Sequence, residues 1–97
     1  MIITLLSYKG GTGKTTAAIN LAGWLNQSAP TVLVDADANR SSLSWSQRGQ
    51  LPFRVADEGE AAKVARQFEH IVLDTPARPS GAKLKGYADG ADALILV

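Results

Sequence analysis

Four stretches of this chain are apolar almost without a break, and their lack of alternation is what most constrains the fold. Ile2–Leu6, Thr31–Val34, Ile71–Leu73 and Leu94–Val97 are rich in β-branched residues or leucine, and turn or capping residues bound each one. A strand with one wet face alternates apolar and polar residues, whereas a continuous run belongs to a strand covered on both faces, as in a parallel sheet. Phe53–Val55, after Pro52, is a fifth and weaker candidate. Helical patterns lie between the runs. Thr15–Asn26 sets Ala18, Leu21, Ala22 and Leu25 at i, i+3, i+4 and i+7, and Pro30 blocks continuation. Asp57–Phe68 repeats the pattern with Ala61, Val64, Ala65 and Phe68, with Asp57 as N-cap and Glu60 three residues on. Ser41–Arg48 predicts a short polar helix carrying Leu43 and Trp45; residues 80–90 predict a weak helix or a loop. Strand and helix in alternation predict βαβ units, hence an α/β domain with helices on both faces of a parallel sheet.

The chemistry concentrates where the first strand meets the first helix. Ser7-Tyr8-Lys9-Gly10-Gly11-Thr12-Gly13-Lys14-Thr15-Thr16 joins a buried strand to an amphipathic helix, the setting a phosphate-binding loop requires. Its glycines permit a tight turn of positive φ in which backbone N–H groups converge on an anion. The helix N-terminus adds unsatisfied amides and about half a positive charge. In such a loop Lys14 bridges the β- and γ-phosphates, the Thr15 hydroxyl ligates Mg²⁺, and Thr16 donates to the α-phosphate. Gly10, Gly11, Thr12 and Gly13 complete the cradle. The usual pattern G-x-x-x-x-G-K-[ST] asks for glycine where this chain has Tyr8.

Lys9–Thr16 does match K-G-G-x-G-K-T-[ST], the deviant Walker A motif, at every position. The chain thereby resembles the ParA/MinD superfamily of P-loop ATPases. The resemblance implies a P-loop NTPase-type parallel sheet, ATP or ADP as ligand with Mg²⁺, and slow, partner-stimulated hydrolysis to ADP and phosphate. It implies that Lys9 reaches across a dimer interface to the partner's phosphates; the plainer alternative is a solvated loop lysine. Val32-Leu33-Val34-Asp35-Ala36-Asp37 ends a buried strand with two acids, at the strand end where open α/β sheets bind ligands. The family's Asp-x-Asp maps Asp37 to orienting the attacking water and Asp35 to supporting the Mg²⁺ shell; Asp37 can alternatively cap a helix at Ser41. Ala38-Asn39 stands where the family usually has Pro-Gln. Ile71-Val72-Leu73-Asp74-Thr75-Pro76 reads as a Walker B strand delivering Asp74 to the Mg²⁺ site through water, with Ala77 in place of a second proline. Arg40 either contacts phosphate or a partner subunit or is plain surface, and Trp45 and His70 read as structural.

Ser41-Ser42-Leu43-Ser44-Trp45 is similar to a stretch of small ParA proteins, and the chain starts at the first strand. The implied role is plasmid or chromosome partition, or positioning of other cargo, by an ATP-dependent homodimeric sandwich with a ParB-like activator. Family members run to roughly twice this length, so residues 1–97 read as an N-terminal nucleotide-binding part, apparently truncated after the fourth or fifth strand. Non-specific DNA binding would then reside in the missing C-terminal half, and the alternative for Leu94–Val97 is a last, central strand. An apolar terminal strand also predicts dimerisation or strand exchange of the 97-residue form. Two competing readings are a non-hydrolysing nucleotide-binding or regulatory module and a MinD-like membrane-associated regulator.

Composition narrows the field from outside. With no cysteine, zinc–thiolate and iron–sulfur sites are excluded, including the cluster-bridging, nitrogenase-reductase-like branch of the family. A net charge of +1 gives no electrostatic reason to expect nucleic acid at this surface. Met1–Leu6 is too short for a signal peptide, and no apolar stretch approaches a membrane span, so the expectation is a cytoplasmic protein with no membrane partner; the resemblance to ParA proteins implies a bacterial one, nucleoid-associated when ATP-bound.

Overall fold

A computed structural model describes residues 1–7, 13–36, 51–76 and 81–97. In chain order these form β1 (Ile2–Leu6), α1 (Lys14–Asn26), β2 (Thr31–Asp35), β3 (Arg54–Asp57) and α2 (Ala61–Val64). A 3₁₀ turn (Ala65–Gln67), β4 (His70–Asp74), α3 (Gly81–Gly90) and β5 (Ala93–Leu96) follow. Every strand pair is parallel, and the order across the sheet is β3-β2-β4-β1-β5. The expected P-loop-type α/β sheet is therefore present, and all five candidate runs are strands in it.

Each face of the sheet has its own cover, which is why the strands do not alternate. Ile3, Leu5, Leu33, Val55 and Val72 face α1 and form one core with Ala18, Ile19, Ala22 and Phe53. Val32, Ala56 and Val64 form a second on the opposite face, with Phe68 and Ile71 packed against it. In α1 the fully buried line is Ala18 and Ala22, with Ile19 beside them, while Leu21 and Leu25 lie at the shoulder. Two alanines at the point of contact let the helix axis approach the sheet closely. Trp24 points away, 67% exposed.

The second helical stretch departs from expectation. Asp57 is the last residue of β3, not the first of a helix, and regular α-helix is confined to Ala61–Val64 before the 3₁₀ turn. Pairing decides this: β2 draws Val55, Ala56 and Asp57 into register with Leu33, Val34 and Asp35. The capping contacts nonetheless form, Glu60 N donating to Asp57 Oδ1 at 2.8 Å and Asp57 N to Glu60 Oε1 at 3.4 Å. They close a turn instead of starting a long helix. Residues 81–90, undecided in the sequence, are helical but bury none of their residues. A parallel β4-to-β5 crossover needs a spanning element of this kind. On that face α2 and α3 leave an apolar cleft of about 340 Å³ over Ile2, Thr4 and Leu73. No helix among the described residues is long and apolar enough to cross a membrane.

Candidate functional site

The strand order reverses beside β1. From β1 the chain passes through α1 to β2 and on to β3, then returns to lay β4 between β2 and β1, with β5 on the far side of β1. Such a switch point opens a crevice at the carboxyl ends of the adjacent strands. Here those ends are Leu6 of β1 and Asp74 of β4, and the N-terminus of α1 lies against them.

Gly13 supplies the entry to α1. Its φ of 82° is left-handed, and as a glycine it brings no side-chain cap of its own to the helix. No acidic residue lies in the first turn, so the positive end of the helix is not offset by a carboxylate of its own. The first helical hydrogen bond runs from Ala17 N to Gly13 O at 2.9 Å. Lys14 and Thr15 then both turn to β4. The Lys14 ammonium pairs with Asp74 Oδ1, and Thr15 Oγ1 donates to Asp74 Oδ2 at 3.1 Å. Lys14 is 5% exposed and Asp74 is fully buried. A buried ion pair of this kind survives because each charge compensates the other; removing one partner costs about 3–5 kcal/mol.

Asp35 lies in the same row. It is buried at the end of β2, in register with Asp74 on one side and Asp57 on the other. Side chains in register share a face, so these acids are presented on the side of the sheet that α1 covers. Thr16, in the first turn of α1, is exposed. The structure therefore brings Lys14, Thr15 and Asp74 into contact, sets Gly13 at the helix entrance and places Asp35 alongside. Lys9, Gly10, Gly11, Thr12, Asp37, Arg40 and the Ser41–Arg48 helix lie outside the described residues. His70 opens β4 at the end opposite Asp74, in keeping with a structural role.

One residue of the site's foundation escaped the sequence reading. Thr75, fully buried, donates its hydroxyl to Leu5 O at 2.7 Å, while its own N–H approaches the same oxygen at 3.4 Å. Ala36 N donates to Asp74 O at 2.9 Å from the other side. Together these tie the carboxyl ends of β1, β4 and β2 to one another just where the acids and the glycine-rich segment begin. The threonine of Asp74-Thr75-Pro76 was the available signal, but its acceptor is set by the adjacency of β1 and β4.

As a donor set, Thr15 and Asp74 offer a hydroxyl and a carboxylate within hydrogen-bonding distance, and no imidazole or thiolate. Oxygen ligands in such small number suit a hard cation that keeps several waters and shares a phosphate, as Mg²⁺ does. No cluster of three or more histidines and acids able to hold a metal unaided occurs among the described residues. A helix N-terminus beside a lysine and a hydroxyl is an arrangement able to attract an anion such as phosphate.

Comparison with known proteins agrees. A family profile described as the CobQ/CobB/MinD/ParA nucleotide binding domain matches residues 3–92. The chain is 36% identical over 102 aligned residues to a maintenance of carboxysome distribution protein A from Gloeobacter kilaueensis, covering 98% of this chain and 47% of that protein. It is 36% identical over 75 residues to a protein ParA from Rhizobium radiobacter, covering 73% of this chain and 34% of that one. The chain thus spans less than half the length of either relative. The profile spans nearly the whole chain and the parallel sheet accords with it: the chain belongs to the CobQ/CobB/MinD/ParA family of nucleotide-binding domains.

Proposed function

We propose that this chain is the N-terminal, nucleotide-binding part of a ParA-type, Mg²⁺- and ATP-dependent dimerising ATPase that positions or partitions intracellular cargo. The observation that carries the reading is the convergence of Lys14, Thr15 and Asp74 at the N-terminus of α1. In this reading the amides of Gly10–Lys14 cradle the phosphates, Lys14 neutralises β- and γ-phosphate charge, and Thr16 donates to the α-phosphate. Thr15 and Asp74 would hold Mg²⁺, with Asp35 supporting its shell. Mg²⁺ held there would supply positive charge to offset the negative charge of the phosphoryl oxygens. Asp37 orients the attacking water, and Lys9 completes the site of a second protomer, placing positive charge where an arginine finger would.

The name of the carboxysome-distribution relative supports cargo positioning as the role; in this reading ATP switches dimerisation and a ParB-like protein stimulates turnover. The edge strand β5 exposes Leu94, Ile95 and Leu96, which favours association of this form, through an ATP sandwich or by strand exchange. Turnover of ATP by the wild type and by Asp37→Ala tests the reading. Wild-type hydrolysis that Asp37→Ala loses while still binding ATP is the expected result. Tight ATP binding with no wild-type turnover would make the chain a binding module instead.

A further inference from the structure

The face of the sheet opposite α1 carries a cleft of about 340 Å³ that the nucleotide reading leaves unused. Its floor follows from the pleat. Ile3 and Leu5 of β1 point into the α1 core, so Ile2 and Thr4 point the other way, beside Ile71 and Leu73 of β4. The walls are short: Ala61 and Ala65 on one side, Gly86 and Gly90 of α3 on the other. Nothing among the described residues lies within 4 Å of where a Cβ would stand on either glycine, so no side chain fills the space they leave.

Small residues around a gap give it no chemistry, but Thr4 does. The residue is 1% exposed, and its hydroxyl has no hydrogen-bond partner among the described residues. A buried hydroxyl ordinarily has one. Water is a poor candidate, because an ordered water takes about two to four hydrogen bonds and the floor around Thr4 is hydrocarbon. We propose that the cleft is a second ligand site, for a small neutral ring compound that is apolar except for one hydroxyl or carbonyl oxygen, which Thr4 binds at the floor. The volume falls in the range of small-molecule sites, about 300–1,000 Å³, and an apolar lining with one converging polar group is their usual make-up. No basic side chain lines the cleft and Glu58 does, which disfavours phosphates and other anions. Tyr87 offers a ring to stack on, and burial, then Glu58, keeps its phenol protonated above the ordinary range.

Fluorescence titration with 2-naphthol and with naphthalene tests this on the whole chain. Naphthalene is the more apolar probe, so burial alone favours it. The wild type should instead bind 2-naphthol about three- to tenfold more tightly, the worth of one hydrogen bond. Thr4→Val should lose that preference while keeping its affinity for naphthalene, and Ala61→Leu, which fills the cleft from its wall, should bind neither probe. The proposal is overturned if the wild type binds neither probe saturably, or if Thr4→Val keeps the preference for 2-naphthol. Undiminished binding by Ala61→Leu would place the probes elsewhere and overturn it too. So would a wild type that light scattering shows to be dimeric and that takes up probe only on dilution to monomer, since a second copy would then be the occupant.

Discussion

Two buried threonines in this sheet carry the same substitution to opposite outcomes. Thr75 Oγ1 donates to Leu5 O at 2.7 Å, and the backbone N–H that shares this acceptor lies at 3.4 Å. Thr4, equally buried on β1, has a hydroxyl with no hydrogen-bond partner among the described residues. Valine keeps the branched shape of threonine and removes the hydroxyl. In Thr75→Val the Leu5 carbonyl loses its better donor inside the protein, a loss of about 1–3 kcal/mol. In Thr4→Val a buried polar group that gained nothing is replaced by a methyl, so stability should hold or rise by up to about 1 kcal/mol. Urea unfolding followed by circular dichroism measures both. With a slope of about 1–1.5 kcal/mol per M, Thr75→Val should lower the midpoint by about 0.7–3 M. Because Thr75 anchors the strand ends beneath the site, nucleotide affinity should fall with it, whereas Thr4→Val should leave affinity unchanged. A Thr75→Val chain unfolding at the wild-type midpoint, or a Thr4→Val chain destabilised as much as Thr75→Val, would refute the reasoning.

Two further outcomes can be measured on the same preparations. Gly13 has a φ of 82° and, among the described residues, nothing within 4 Å of where a Cβ would stand, so Gly13→Ala should cost about 1–2 kcal/mol from backbone conformation, seen as a lowered urea midpoint. Tyr87 has its phenol pushed above its ordinary value, first by burial in the cleft and second by the negative charge of Glu58. A raised folded-state value means the contribution is intact below about pH 10 and is lost as pH rises through the folded value. Stability should therefore fall more steeply above pH 10 in the wild type than in Tyr87→Phe, and equal slopes would contradict this.

How far the sequence could be read depended on how local each determinant was. β1, α1 and β4 were legible because unbroken apolar runs and an i, i+3, i+4 pattern are properties of a few neighbouring residues. The strand at Arg54–Asp57 was harder, since Asp57 followed by Glu60 is a helix-start signal and only pairing with β2 overrides it. The helix at Gly81–Gly90 was equivocal because its three glycines weaken local propensity, while the need for a crossover to β5 is a requirement of topology. The site divides in the same way. Lys14, Thr15 and Asp74 stood out from motif order, and their convergence follows from β4 lying beside β1. The Thr75-to-Leu5 tie and the sharing of one carboxylate by two side chains depend on strand order, which no single stretch of sequence encodes.

The central claim, that the N-terminus of α1 with Lys14 and Asp74 is a nucleotide site, is tested most directly by calorimetric titration of Mg²⁺·ATP. The wild type is compared with the double variant Lys14→Met/Asp74→Asn, which removes both charges together and so leaves neither buried alone. Saturable, one-to-one binding by the wild type, absent from a double variant that circular dichroism shows to be folded, is the predicted result. Equal binding by the two chains, or none by the wild type, would contradict it.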